Sequence, residues 1–230
     1  MTEEEAGRRL MPDNHDDHDD HFVLVHGISG GSWCWYKIRC LLENSGYKVS
    51  CIDLKASGID PSHADTILSF QDYNKPFMDL MSSLPDHHKG VPDLSEFGDV
   101  YEVGFGLGTD QPPTSALVKK EFQRQIIYQM SPPEDATLAA MLLRPGPIKA
   151  LVSAKFNAED DMIDKVPRVY IKTVYDNVVK PDQQDAMIKR WPPSEVYVLK
   201  SDHSPFFSAP SLLFDLLVKS LHHASSVEPI

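Results

Sequence analysis

Residues 22–54 constrain the fold more than any other stretch. Phe22-Val-Leu-Val25 is a continuous apolar run, the pattern of a parallel strand covered on both faces. It runs into His26-Gly27, and Gly30 and Gly31 extend a tight turn. Trp33, Ile38, Leu41 and Leu42 then recur near helical spacing over 33–44, with Gly46 placed as a stop. Val49, Cys51, Ile52 and Leu54 supply the next strand. Strand, helix and strand in this order make a βαβ unit, which crosses over right-handed. The expected class is α/β, with a mostly parallel sheet flanked by helices.

The pattern then changes. Residues 71–84 predict a helix with Phe77, Leu80, Met81 and Leu84 on one face. An open α/β sheet should add a strand next. Instead Leu84-Pro-Asp-His-His-Lys89 passes directly into Gly90-Val-Pro-Asp93. Gly90 to Pro113 holds five glycines and three prolines, and reads as the entry to a lid. Residues 115–130 predict a helix burying Leu117, Phe122, Ile126 and Ile127. Ser131-Pro-Pro-Glu134 reads as a capping box with Pro at the first helical position. It opens a second lid helix carrying Leu138, Met141 and Leu142. Strand signals return at Val169-Tyr-Ile171 and Val196-Tyr-Val198, and a last helix covers about 210–222. The expected organisation is a disordered acidic leader over 1–20, a first part of the core over 21–89, a lid over 90–165 and a second part of the core over 166–230.

Length and charge narrow the partners. A chain of 230 residues suits one domain with a sizeable core. A net charge of −12 argues against nucleic acid and anionic membranes as partners. No apolar run approaches a membrane span, and the first residues lack the pattern of a secretory leader. Cys34, Cys40 and Cys51 are odd in number and lack Cys-x-x-Cys spacing, so they read as reduced thiols of a cytoplasmic protein. His15, His18 and His21 alternate with Asp16, Asp17, Asp19 and Asp20 in the leader. A metal site would need a folded outer shell to orient its ligands, which nothing nearby supplies. The reading taken is a solvated tail, with no metal. Oligomeric state has no signature in the sequence.

Hydrolytic acyl transfer needs a nucleophilic hydroxyl, an imidazole to take its proton and a carboxylate to hold the imidazole. His203 follows a strand in the turn-forming Ser-Asp-His-Ser-Pro, where an exposed general base belongs. Asp176 ends the preceding strand in Val-Tyr-Asp-Asn. Either alone is an ordinary turn residue. Together, acid then histidine after successive strands, they match the α/β-hydrolase chain order. Only Gly27-Ile-Ser-Gly-Gly31 fits the Gly-x-Ser-x-Gly pattern of a nucleophile turn. A turn after so early a strand supplies an oxyanion-hole N–H, and the nucleophile comes from a later strand. Ser29 is therefore read as a decoy, kept as a substitute nucleophile, and Ser57 as a loop residue.

Several stretches together resemble the plant methylesterase family of α/β-hydrolases. They are His21-Phe-Val-Leu-Val-His-Gly27, Gly31-Ser-Trp-Cys-Trp-Tyr36, Asp53-Leu-Lys-Ala-Ser-Gly-Ile-Asp60, Met130-Ser-Pro-Pro-Glu-Asp135 with Arg144-Pro145, and Ser201-Asp-His-Ser-Pro205. The likeness covers nearly everything from residue 21 onward. Residues 90–108 and 180–207 look closest to the methyl-indole-acetate esterase branch. The resemblance implies hydrolysis of methyl esters of small plant hormones, such as methyl indole-acetate, methyl jasmonate and methyl salicylate, without a cofactor. It makes His203 the general base, Asp176 its orienting carboxylate and Ile28 an oxyanion-hole N–H donor. The related hydroxynitrile lyases are less similar. They carry lysine where Ser204 stands, and they lack the glycine found as Gly27.

One departure is large. The family has a strand, a Gly-His-Ser-x-Gly-Gly elbow, its helix and a further strand where this chain joins Lys89 to Gly90. Such a βαβ unit takes roughly 30 residues or more. Its clean excision looks like a skipped exon or a faulty gene model rather than residue-level decay. The expected fold is thus a truncated α/β-hydrolase-like sheet with a helical lid and no central elbow strand. Its halves either pair directly, in an order near 2-1-3-4, or leave edges open. The expected function divides in the same way. The chain is an esterase with an unrecognised nucleophile, or an inactive variant that binds a small hydrophobic ester or acid.

Overall fold

The computed structural model describes residues 20–80, 98–154 and 167–224. The leader over 1–19, Met81, Leu84 and the Lys89–Gly90 junction lie outside the described residues. Strand β1 (His21–Val25) leads through a single 3-10 turn into helix α1 (Tyr36–Asn44), and β2 (Lys48–Ile52) returns parallel to β1. His21 lies opposite Lys48 and Val25 opposite Ile52. The helix stops where glycine permits it, because Gly46 takes φ +86° and its N–H bonds Glu43 O at 3.1 Å. This βαβ unit is the one expected.

Helix α2 (Phe70–Leu80) starts at a Ser69 cap, whose Oγ accepts from Asp72 N–H at 3.1 Å. Its inward stripe is Phe70, Tyr73 and Phe77, whereas Leu80 is 48% exposed. The buried face therefore sits a turn earlier than expected. The region expected as a loop and the start of a helix holds an antiparallel hairpin instead. Strand β3 (Tyr101–Gly104) pairs with β4 (Ser115–Val118). Thr114 closes it. Its N–H bonds Gly104 O at 2.8 Å, and its Oγ1 accepts from Gly106 N–H and donates to Asp65. The lid helix α3 is confined to Lys120–Ile126. Helix α4 (Pro133–Leu142) has proline at its first position as expected, but no side chain caps it. Ser131 Oγ donates to Asp202 instead. Met141 on this helix is 75% exposed, and α4 buries Asp135 and Ala139.

A short helix α5 (Ile148–Val152) leads on toward the second half of the core. There β5 (Val169–Thr173), α6 (Pro181–Arg190) and β6 (Glu195–Leu199) form a second parallel pair. Helices α7 (Pro205–Ser208) and α8 (Pro210–Ala224) follow. No described helix is long and apolar enough to cross a membrane.

The two parallel pairs do not join. Among the described residues β1–β2 and β5–β6 are separate two-stranded sheets, so the order 2-1-3-4 does not form. What they share is a helix layer. Leu24, Ile38, Leu42, Leu199 and Leu213 meet in one core, with α1 packed on α8. Packed helices sit about 8–10 Å apart, twice the strand spacing of about 4.8 Å. The α1–α8 contact thus joins the two halves through side chains rather than through a backbone ladder.

The loop after β2 carries a strongly solvated charge. Asp60 accepts from Ala56 N–H and Ser62 N–H at 2.9 Å and from Lys55 Nζ at 3.2 Å. Burial pushes its carboxyl up, but these bonds outweigh burial and hold it at about 2. An unfolded aspartate titrates near ~3.9, so between those values the unfolded chain binds more protons. This part of the stability is complete above about pH 4 and lost as pH falls toward 2. Thermal midpoints measured from pH 5 to pH 2 should fall less steeply in Asp60→Asn than in the parent chain.

Candidate active site

The C-terminal half builds an imidazole–carboxylate pair by itself. His203 Nδ1 lies 3.0 Å from Asp176 Oδ2 and 3.2 Å from Oδ1. Asp176 is buried and heavily bonded. Val178 N–H and Val179 N–H donate to Oδ1 at 2.8 and 2.9 Å, and Thr173 Oγ1 donates to Oδ2 at 3.0 Å. Burial opposes its charge, but His203 and the two backbone donors outweigh that and hold the carboxyl below its ordinary value. An ionised Asp176 requires Nδ1 to carry a proton, which leaves Nε2 to act as base. Gln184 of α6 splints this loop, bonding Thr173 O at 2.8 Å and Val179 O at 2.7 Å.

The residue before the histidine does more than sequence reasoning assigned to it. Asp202 is wholly buried. It accepts from Ser204 N–H (2.9 Å), Ser208 Oγ (2.8 Å), Met130 N–H (2.9 Å) and Ser131 Oγ (2.9 Å). Two of these bonds shape the His203 loop and two seize the lid. The i to i+2 bond to Ser204 is an Asx turn, and Asp202-His203-Ser204 carries that signature in the sequence. The lid bonds have no local signature.

The N-terminal half supplies the glycine turn. His26 is buried, accepts from Leu54 N–H at Nε2 (3.1 Å) and lies 2.7 Å from Gly27 O at Nδ1. Nδ1 is then the protonated nitrogen. Burial lowers its pKa against the bond to Gly27, which keeps the ring neutral. His26 is a support for the turn. Ser29 sits at φ +66°, a left-handed conformation, and its carbonyl accepts from Arg144 N–H at 3.1 Å. Arg144 also donates to Gly58 O, Asp60 O and Ser62 O, tying the lid to the core. Gly146 presses close behind Ile28, where a Cβ would lie 2.1 Å from Ile28 Cγ1 and 3.0 Å from Ser29 N.

The halves face one cavity of about 680 Å³. His203, Ile28 and Ser29 all line it, and Asp176 stands behind His203. Ser57 is buried away from it, with its Oγ 3.4 Å from Lys55 O. Ser29 Oγ is 3.5 Å from Ala116 O, and among the described residues no hydroxyl bonds His203 Nε2. Cys34 also lines the cavity, but burial pushes its thiol up to about 12, which leaves it inert as a nucleophile. His21, the one leader-run histidine described, lies 2.9 Å from Ser50 Oγ at Nε2. No group of side chains suited to a metal ion occurs among the described residues.

No protein-family model matches the chain. Individual relatives do. Methylesterase 17 of Arabidopsis thaliana is 48% identical, over 90% of this chain and 93% of its own length. The chain belongs to the plant methylesterase family. Methyl jasmonate esterase 1 of Vitis vinifera is 33% identical, over 83% of this chain and 92% of its own. The crystal structure of the Arabidopsis methylesterase MES16 superposes with a TM-score of 0.77, at 40% identity, covering 89% of this chain and 99% of that one. The fold is thus an α/β-hydrolase fold with strands missing. The alignment to methylesterase 17 runs over 257 positions but takes in only 90% of the 230 residues here, about 207, so about 50 positions of that relative have no counterpart. Gaps of that total length are enough to hold a βαβ unit of roughly 30 residues or more.

Two substitutions test how the methylesterase lid is held. Asp202→Asn removes a charge that four donors address. It should cost about 1–3 kcal/mol, read as a lower thermal midpoint with the far-UV spectrum unchanged. Gly146→Ala should cost a similar ~1–3 kcal/mol through overpacking against Ile28. Replacing Ile28 by alanine in that background should recover most of the loss in the same melt.

Proposed function

We propose that this methylesterase-family chain binds small apolar methyl esters beside His203 and has lost the acyl-enzyme step. The candidate ligands are methyl esters of plant hormones, namely methyl indole-acetate, methyl jasmonate and methyl salicylate. The observation that carries this reading is the shared cavity. A paired base, His203 with Asp176, and the Ile28 turn face the same space, and no hydroxyl there is bonded to the base. Ile28 would lend its N–H to the ester carbonyl, and His203 would meet the alkoxy side. The reading needs no cofactor. Three free thiols support a cytoplasmic location. In a triad enzyme, loss of the nucleophile leaves roughly 10³–10⁴-fold catalysis over water from binding and oxyanion contacts alone.

A second reading keeps hydrolysis, with Ser29 as nucleophile. It is favoured by the φ of +66° that holds Ser29 in a sharp turn on the same cavity as His203. Ser29 Oγ would attack the ester carbonyl while His203 Nε2 takes its proton. Methanol would leave with that proton, and water would release the acid.

A thermal melt comes first, to establish a folded chain. The folded protein is then exposed to a fluorophosphonate probe and to methyl indole-acetate, beside Ser29→Ala and His203→Ala. Binding of the ester without labelling or turnover is the expected result. Labelling and turnover that vanish in Ser29→Ala would establish the second reading. Absence of ester binding in folded protein would sink both.

A further inference from the structure

The cavity has two walls of different origin. One carries the His203 loop, Ile28, and lid residues such as Tyr128 and Leu143. The other is formed by Val25, Leu54, Phe70, Tyr73, Phe77 and Leu151, all belonging to or packed on a single apolar cluster between β1, α2 and α5. This second wall lines the cavity beside β1, which among the described residues is paired on one edge only, by β2. An interior strand of an α/β sheet has its second edge and both faces covered. Here the cluster turns its side toward the cavity.

The charge of the lining selects the ligand further. No lysine, arginine, aspartate or glutamate lines the cavity among the described residues. Tyr73 is held neutral, with burial pushing its hydroxyl up to about 12. His26 is neutral for the reason given above, and any positive charge on His203 is matched by Asp176. A bound carboxylate would find no cation here, and an unpaired ion is costly in such a site. A volume of about 680 Å³ falls within the ordinary range for small-molecule sites, roughly 300–1,000 Å³, and exceeds the needs of a single aromatic ring.

We propose that the wall formed by Val25, Leu54, Phe70, Tyr73, Phe77 and Leu151 is a second subsite, which takes the aliphatic body of an uncharged long-chain ester. The proposal rests on the reading that the ester group itself lies beside His203. It adds that selectivity runs toward a long neutral body and against the free acid.

Isothermal titration of the intact chain with methyl decanoate, decanoate and methyl salicylate tests this. Methyl decanoate should bind at least tenfold tighter than either of the others. Leu151→Trp fills the second wall, and should weaken methyl decanoate at least tenfold while leaving methyl salicylate within twofold. Should Leu151→Trp melt well below the parent, Phe77→Glu is the replacement, placing an unpaired carboxylate on the same wall with the same expected selectivity. Decanoate binding as tightly as its methyl ester would overturn the proposal. So would a loss in the variant equal for both esters. Methyl salicylate binding with no gain for methyl decanoate would remove the subsite alone. Methyl decanoate binding unaltered by His203→Ala would remove the placement of the ester group beside His203 and leave the subsite standing.

Discussion

The two parallel strand pairs share no backbone ladder, so everything else must hold them in register. Apolar packing does most of this, through the α1–α8 layer and the core that joins Leu24 to Leu199. Packing of this kind is non-directional and leaves relative rotation loosely specified. Direction comes from carboxylates, two of them buried and one half-buried. Asp202 ties the His203 loop to the lid. Asp135 joins α4 to α1 through Tyr36 and Lys37. Asp53 accepts from Ser32 N–H and Ile59 N–H and so locks the glycine turn to the loop after β2. Each is a charged acceptor shared between segments far apart in sequence, and a charge-assisted bond is roughly twice as strong as a neutral one.

This division explains why half of a triad is well formed in a chain that lacks the central unit. His203, Asp176, Thr173 and Gln184 all come from the β5–α6–β6 half, and their bonds close within it. The glycine turn is supported by His26 and Asp53 within the β1–α1–β2 half and by Arg144 N–H on Ser29 O from outside it. Neither arrangement depends on strands lying between the halves. What lies between the halves is the shared cavity, mostly apolar in its lining.

Legibility followed the range of the interactions. Phe22 to Val25 reads as a parallel strand from its continuous apolar run, although only Leu24 is buried and the two-faced cover expected of it is incomplete, and Gly46 reads as a helix stop because only its own backbone is involved. His203 and Asp176 were legible for a similar reason, since turn chemistry and strand order are local signals. Ser115 to Val118 was misread as helix. Its pairing partner is the Tyr101–Gly104 segment, reached across a glycine-rich loop whose closure depends on Thr114 meeting Asp65. Ser131 was misread as a cap because a serine before two prolines has that form. A carboxylate distant in the chain claims its hydroxyl instead.

The sequence by itself determined the family, the α/β class, and the order in which Asp176 and His203 follow successive strands. All of these are carried by contiguous motifs or by their order along the chain. Only the tertiary structure decided that the sheet remains in two pieces, that Asp202 binds lid and base loop together, and that the β1–α2–α5 cluster becomes a cavity wall. Those outcomes turn on distances between segments far apart in sequence. They are set by side chains that meet only once the chain has folded, and no local pattern records such meetings.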